Sequence, residues 1–167
     1  MTVLIRTIRV DDAAQLLNLR LQLDQETQFM LFEPGERKMS IDQQRKQLAS
    51  LLRSEHSTIF VAEHQRKLVG FLEAIGSPLK RKRHTLYIVI GILRDFTGQG
   101  IGTRLFEEME KWARDRKLHR LELTVMAHNQ AGIALYTKCG FTVEGRRRDA
   151  CFVNGQYVDE LYMAKLL

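Results

Sequence analysis

The hydrophobic positions of this 167-residue chain change period several times, and each change marks an element. "TVLIRTIRV" alternates apolar and polar residues as a half-buried strand does. Asp11 or Asp12 then offers an N-cap for a helix through "AAQLLNLRLQLDQ". "FEPGER" carries a Pro-Gly turn, after which Ser40, with Gln43 three residues on, forms a capping box for a second helix, "IDQQRKQLASLLRS". Two short apolar runs, "STIFVAEH" and "KLVGFLEAIG", flank "QRK" and predict a hairpin. "RHTLYIVIGILRD" reads as a third central strand and runs into a glycine-rich turn. From Ile101 the apolar residues at 101, 105, 106, 109, 112 and 113 keep helical spacing, which places Phe106 and Trp112 in the core. "HRLELTVMA" predicts a strand with Leu121, Leu123 and Val125 on one face, and "NQAGIALYTK" a short helix stopped at Gly140. The final strands are joined by Asn154-Gly155, a strong two-residue hairpin signal.

The order is therefore β-α-α-β-β-β-α-β-α-β-β, with hairpins before the glycine turn and βα crossovers after it. An α/β domain with a mixed sheet flanked by helices follows, spanning 1–167 as one unit. Composition agrees: 44% hydrophobic and 28% charged residues, with 11 Gly and 2 Pro, describe a folded domain without a linker. The apolar runs are too short to span a bilayer and the N-terminus lacks a signal segment, so no membrane partner and a cytoplasmic location are expected. Cys139 and Cys151 form neither a CxxC nor a metal-ligand spacing, and they read as two reduced thiols with no metal. The net charge of +6 attracts polyphosphate of any kind. It is densest in "KRKRH" at 80–84 and "RRR" at 146–148, without zinc-finger spacing, an RNP-like aromatic run or a basic zipper beside them. Both runs are expected to be solvated loop or edge-strand faces.

"RDFTGQGIGTRLF", residues 94–106, sets three glycines at alternate positions before a helix. A P-loop needs GxxxxGK followed by Ser or Thr, and no lysine stands here. A dinucleotide fingerprint needs a further glycine at Thr103 or Leu105, and neither is one. What remains is the physics both motifs share: glycine lets backbone approach an anion, and the first N–H groups of a helix lack intrahelical partners. A pyrophosphate suits such a turn. Glycines that only end the strand and cap the helix are the other reading.

Strand, glycine turn, amphipathic helix and strand, then "HNQAGIALYTKCGF" and a terminal hairpin, resemble the GCN5-related N-acetyltransferase family. The tail "GFTVEGRRRDACFVNGQYVDELYMAKLL" looks like the branch containing ribosomal-protein and spermidine acetyltransferases. The family pattern at the turn (Gln or Arg, two residues, Gly, one residue, Gly or Ala) maps onto Thr97, Gly98, Gln99, Gly100, Ile101 and Gly102, with Thr97 in place of the usual Gln or Arg. The second block matches closely at Asn129, Ala134, Leu135, Tyr136 and Gly140-Phe141. The resemblance implies an acyl-CoA N-acyltransferase fold with acetyl-CoA as cosubstrate. Its pyrophosphate would sit on Thr97 through Thr103, and its pantetheine arm would run like an added strand beside the strand that ends at Ile92 and Leu93. Backbone N–H groups of Ile92 and Leu93 would polarise the thioester carbonyl.

The chemistry makes sense of further residues. Asn129 and Tyr136 are seven positions apart, two helical turns, and so share a face. Tyr136 is the candidate acid for the departing thiolate, a phenol near ~10 facing a thiol near ~8.5; the family gives its corresponding tyrosine that role. Gly91, inside an apolar run, marks a bulge, a close backbone approach or a packing glycine. Many family members carry a glutamate base on the central strand where this chain has Tyr87, so Glu33, Glu73 and His84 are the replacement candidates. A missing base favours α-amines near ~8 over polyamines near ~10. Three readings stay open: an N-acetyltransferase acting on a small-molecule or protein amine, a non-catalytic acyl-CoA sensor, and a basic nucleic-acid or ribosome-binding module. A homodimer is among the assemblies considered.

Overall fold

The computed structural model describes residues 2–167. The strands are β1 (Leu4–Thr7), β2 (Thr58–His64), β3 (Lys67–Ile75), β4 (Thr85–Ile92), β5 (Arg120–Met126), β6 (Thr142–Val153) and β7 (Gln156–Leu166). The helices are α1 (Ala13–Glu26), α2 (Ile41–Arg53), α3 (Ile101–Asp115) and α4 (Gln130–Lys138). The strands form one mixed sheet ordered β1-β2-β3-β4-β5-β7-β6, in which only β4 and β5 run parallel. The element order is the one the hydrophobic pattern predicts.

Local chemistry explains the boundaries. Ser40 and Gln43 close the capping box of α2, with Gln43 N–H donating to Ser40 Oγ at 3.1 Å and Ser40 N–H to Gln43 Oε1 at 2.8 Å. Gly140 takes φ +95° behind α4, and Asn154-Gly155 take φ +49° and +77° at the last hairpin. Asp12 occupies the N-cap position of α1 but does not cap with its side chain. Its carboxylate instead accepts from Arg6 at 2.8 Å and from Arg9 N–H at 2.7 Å, closing a short turn over Val10–Asp12.

Side-chain alternation fixes which helix covers which face. A methyl on Gly91 would meet Leu23 of α1 at 2.8 Å and Phe71 at 3.0 Å. The register of β3 with β4 is unbroken there, so Gly91 is a packing glycine and not a bulge. The next residue, Ile92, points the other way, toward Gly102 of α3. Helices α1 and α2 therefore lie on one face and α3 on the other. The α3 stripe buries Ile101, Leu105, Phe106, Met109 and Ala113 fully, each large side chain worth about 1.5–3 kcal/mol of transfer free energy. Trp112 sits at the margin, partly buried, with the Arg116 guanidinium 4.1 Å from its ring centroid.

Candidate active site

The parallel joint between β4 and β5 is three pairs long: Thr85 with Arg120, Leu86 with Leu121 and Tyr87 with Glu122. Beyond Tyr87 the strands separate, while β4 stays fully paired to β3 as far as Ile92. Leu93 N–H donates to the Val69 carbonyl of β3 at 2.9 Å. In an antiparallel ladder alternate residues bond to the same neighbour, so Gly91 and Val89 also turn their amides to β3. Ile92 and Ile90 turn theirs into the gap, whereas Ile88, next to the last β4–β5 pair, turns its own toward β5. This corrects the sequence reading of Leu93, whose N–H is already taken; Ile92 keeps its amide toward the gap and Ile90 joins it. Ile90 was missed because pairing phase cannot be read from an apolar run.

The gap ends at the glycine turn. Gly98 and Gly100 have φ +73° and +81°, and a methyl on either would meet nothing within 4 Å. They are glycines for conformation, with an open face. Gly102 differs: a methyl there would lie 2.7 Å from Leu135, so it is glycine because α3 packs closely on α4. Thr97 Oγ1 donates to the Arg94 carbonyl at 2.8 Å and Gln99 Nε2 to the Asp95 carbonyl at 3.2 Å, which ties the turn to itself. Arg94 N–H donates to Glu26 Oε2 at 2.9 Å, fastening the turn to the end of α1. Gly100 is the N-cap of α3 and no side chain caps it. The amides of Ile101, Gly102 and Thr103 thus stand at a helix N-terminus with its positive dipole end, suited to an anion.

Tyr136 is buried, its ring edge-on to Phe106 at 5.9 Å and near Phe141 at 6.3 Å. Its hydroxyl makes no hydrogen bond to protein. Since no enclosed polar side-chain atom among the described residues lacks a partner, that hydroxyl keeps access to solvent. Burial, with smaller contributions from Tyr87 and Cys139, pushes the phenol up to about 12. Tyr87 itself reaches from β4 to β5, its hydroxyl 2.8 Å from Thr124 Oγ1, where the strands begin to part.

Other predicted residues fall elsewhere. Asn129 precedes α4 as its N-cap, its Oδ1 accepting from Gly132 N–H at 3.0 Å. Glu73 lies beneath α1 and is bound to Arg20 at 3.0 Å. Glu33 is exposed at the first position of the Pro34-Gly35 turn, where its carbonyl accepts from Glu36 N–H at 3.1 Å. His84 stands at the start of β4, beside His119 and at the opposite end of the strand from the turn. A second cleft of about 570 Å³, lined in part by Gln28, His128, Arg146, Asn154, Tyr157 and Asp159, adjoins the start of α4. Phe29 packs edge-on to His128 at 5.0 Å and Asn154 Nδ2 donates to Gln28 Oε1 at 2.9 Å, so the segment after α1 touches both neighbouring loops. None of these contacts had a sequence signal, because each joins segments far apart in the chain.

Among the described residues no cluster of His, Cys, Asp and Glu could hold a metal, and no helix is long and apolar enough to cross a membrane. An L-amino acid N-acetyltransferase of Escherichia coli is 32% identical over 103 residues, 59% of this chain and 62% of that protein. The chain therefore spans less than two thirds of that relative. The solved structure of a GNAT-family acetyltransferase from Streptococcus pneumoniae is 29% identical and superposes with a TM-score of 0.94 over 99% of both chains. The fold also matches yncA, a putative acetyltransferase of Salmonella typhimurium solved with acetyl-CoA, at 18% identity and a TM-score of 0.87 over 100% of this chain and 95% of that one. The family model of the GNAT acetyltransferases matches residues 20–141, and with it the chain belongs to the GCN5-related N-acetyltransferase family.

Proposed function

We propose that the protein moves an acetyl group from acetyl-CoA to a primary amine by direct attack in a ternary complex. The observation that carries this reading is the gap between β4 and β5, with unpaired amides along one wall and the glycine turn at its end. Ile90 and Ile92 offer N–H groups where an extended pantetheine arm would lie. Ile92, nearer the turn, and Ile90, nearer Tyr87, are also the donors available to a thioester carbonyl. The amides of Gly98 through Thr103 suit the pyrophosphate. Tyr136 holds a proton where thiolate charge would develop.

The acceptor reading rests on what the site lacks in basicity. Glu73 is held by Arg20, His84 stands at the far end of β4, and Glu33 lies exposed in the loop between α1 and α2. An α-amine near ~8 loses its proton at neutral pH more readily than a polyamine near ~10, and the net charge of +6 repels polycations. Amino acids or peptide N-termini are the acceptors this favours, and the amino-acid acetyltransferase relative is consistent with them.

Acetyl-CoA at ~100 times its dissociation constant should stabilise the protein by about 2.7 kcal/mol, and NAD and ATP should not. Release of CoA on adding amino acids would then separate an enzyme from a sensor. Stabilisation without turnover on any amine would leave binding alone. The turn has its own test. Gly100→Ala forces a side chain into the left-handed region at a cost of about 1–2 kcal/mol and places a methyl on the open face. It should weaken acetyl-CoA binding by about tenfold or more, measured by titration calorimetry.

A further inference from the structure

The two basic runs of the sequence meet different fates in the fold. On β6, Arg146 pairs with Asp159 at 2.5 Å, and Arg147 pairs with Glu160 at 2.9 Å and lies over Tyr162. Lys80, Arg81, Lys82 and Arg83 sit exposed in the β3–β4 loop, and none is in an ion pair. The α3–β5 connection joins them: His119 and Arg120 N–H both donate to the His84 carbonyl, at 2.9 and 3.1 Å, and the two imidazoles stand 6.5 Å apart. That connection brings two more exposed cations without carboxylate partners, Arg116 and Lys117. The Arg116 guanidinium is steadied over Trp112. Nearby acids offset little of this. Glu122 and Glu144 share the one Arg120, a net of −1, and Asp115 at the end of α3 adds a second negative charge against the six cations.

Six free cations thus share one end of the molecule, as many as the chain's whole excess of +6. They lie at the N-terminal ends of β4 and β5, whereas the glycine turn follows the C-terminal end of β4. An occupant here leaves the gap open. Leu79 is the exposed large apolar side chain of this loop, too little for insertion into a lipid surface. Beside three lysine ammoniums stand three guanidiniums that fork onto phosphate oxygens and two imidazoles with flat faces for a sugar or base.

We propose that this end binds the sugar–phosphate backbone of nucleic acid without base-sequence preference, independently of acetyl transfer. The test is fluorescence anisotropy of a labelled RNA hairpin and a labelled DNA duplex between about 50 and 200 mM salt, the range over which phosphate contacts show themselves. Phosphatidylserine vesicles and polyglutamate serve as the other polyanions. Six contacts give a log–log salt slope of about −5 on the duplex. The variant K80A/R81A/K82A/R83A should bind at least about tenfold more weakly, its slope smaller by about 3 to 4. It should keep the wild-type melting temperature, because the side chains are exposed. The variant R146A/R147A should keep both affinity and slope. Tighter binding to vesicles or polyglutamate than to either nucleic acid, or an unchanged slope in the loop variant, overturns the proposal.

Discussion

Replacing Tyr136 by phenylalanine is expected to lower kcat by about 10²–10⁴-fold while leaving acetyl-CoA affinity unchanged. Phenylalanine keeps the packing against Phe106 and Phe141, so the loss isolates the hydroxyl. Its nature follows from burial. A phenol near ~10 could pass its proton to a thiolate, but one pushed up to about 12 is some 3.5 units weaker than a thiol near ~8.5. Full transfer would cost about 5 kcal/mol, so the proposed role of the hydroxyl is to donate a hydrogen bond to the developing thiolate. The required form is the protonated one. Since its folded-state value is raised, it is retained until the pH approaches 12. The wild-type rate should therefore rise with pH as the acceptor amine deprotonates, then level off with no fall from Tyr136 up to about pH 10. An unchanged kcat in the variant at every pH would remove Tyr136 from the mechanism.

Glu73→Ala is expected to destabilise the protein by about 3–5 kcal/mol, because it strands a buried guanidinium. The Arg20 side chain is 8% exposed, donates to Gln44 Oε1 at 3.1 Å and lies over Phe71, so it cannot swing to water. Burial pushes that guanidinium down from its usual range, and Glu73 is the larger of two charges, with Asp24, that oppose the effect. Denaturant midpoints at constant m give the change. Glu73→Gln, which keeps an acceptor, should recover part of it. A catalytic base would behave differently: stability would hold, kcat would collapse, and the acid limb of the pH profile would move.

The sequence made visible whatever depends on neighbours along the chain. Ser40–Gln43, Gly140 and Asn154-Gly155 act within a few residues, and each stands where its local chemistry puts it. The glycine turn was legible as a turn before a helix. The distinct reasons for its glycines were not, since Gly102 answers to Leu135, thirty-three positions away. The same limit hid the role of Glu73, whose partner Arg20 is on another element, and the phase of β4, which depends on Val69 of β3. Tyr136 could be picked out by its spacing and its resemblance to the family tyrosine. Its raised proton affinity could not, because burial is a property of the assembled core.

The short joint between β4 and β5 divides the sheet's hydrogen-bond continuity into two blocks, β1 to β4 and β5 to β6. With three pairs between them, the blocks are coupled chiefly through side chains, Leu135 against Gly102 and Phe106 against Tyr136 and Phe141. Cooperativity across the molecule is weakest along that seam. A strand-like ligand lying in it would bond to one block through the β4 amides and rest against the other. Occupancy would then convert two loosely linked folding units into one, and the free protein would breathe along the line where the proposed cosubstrate would enter.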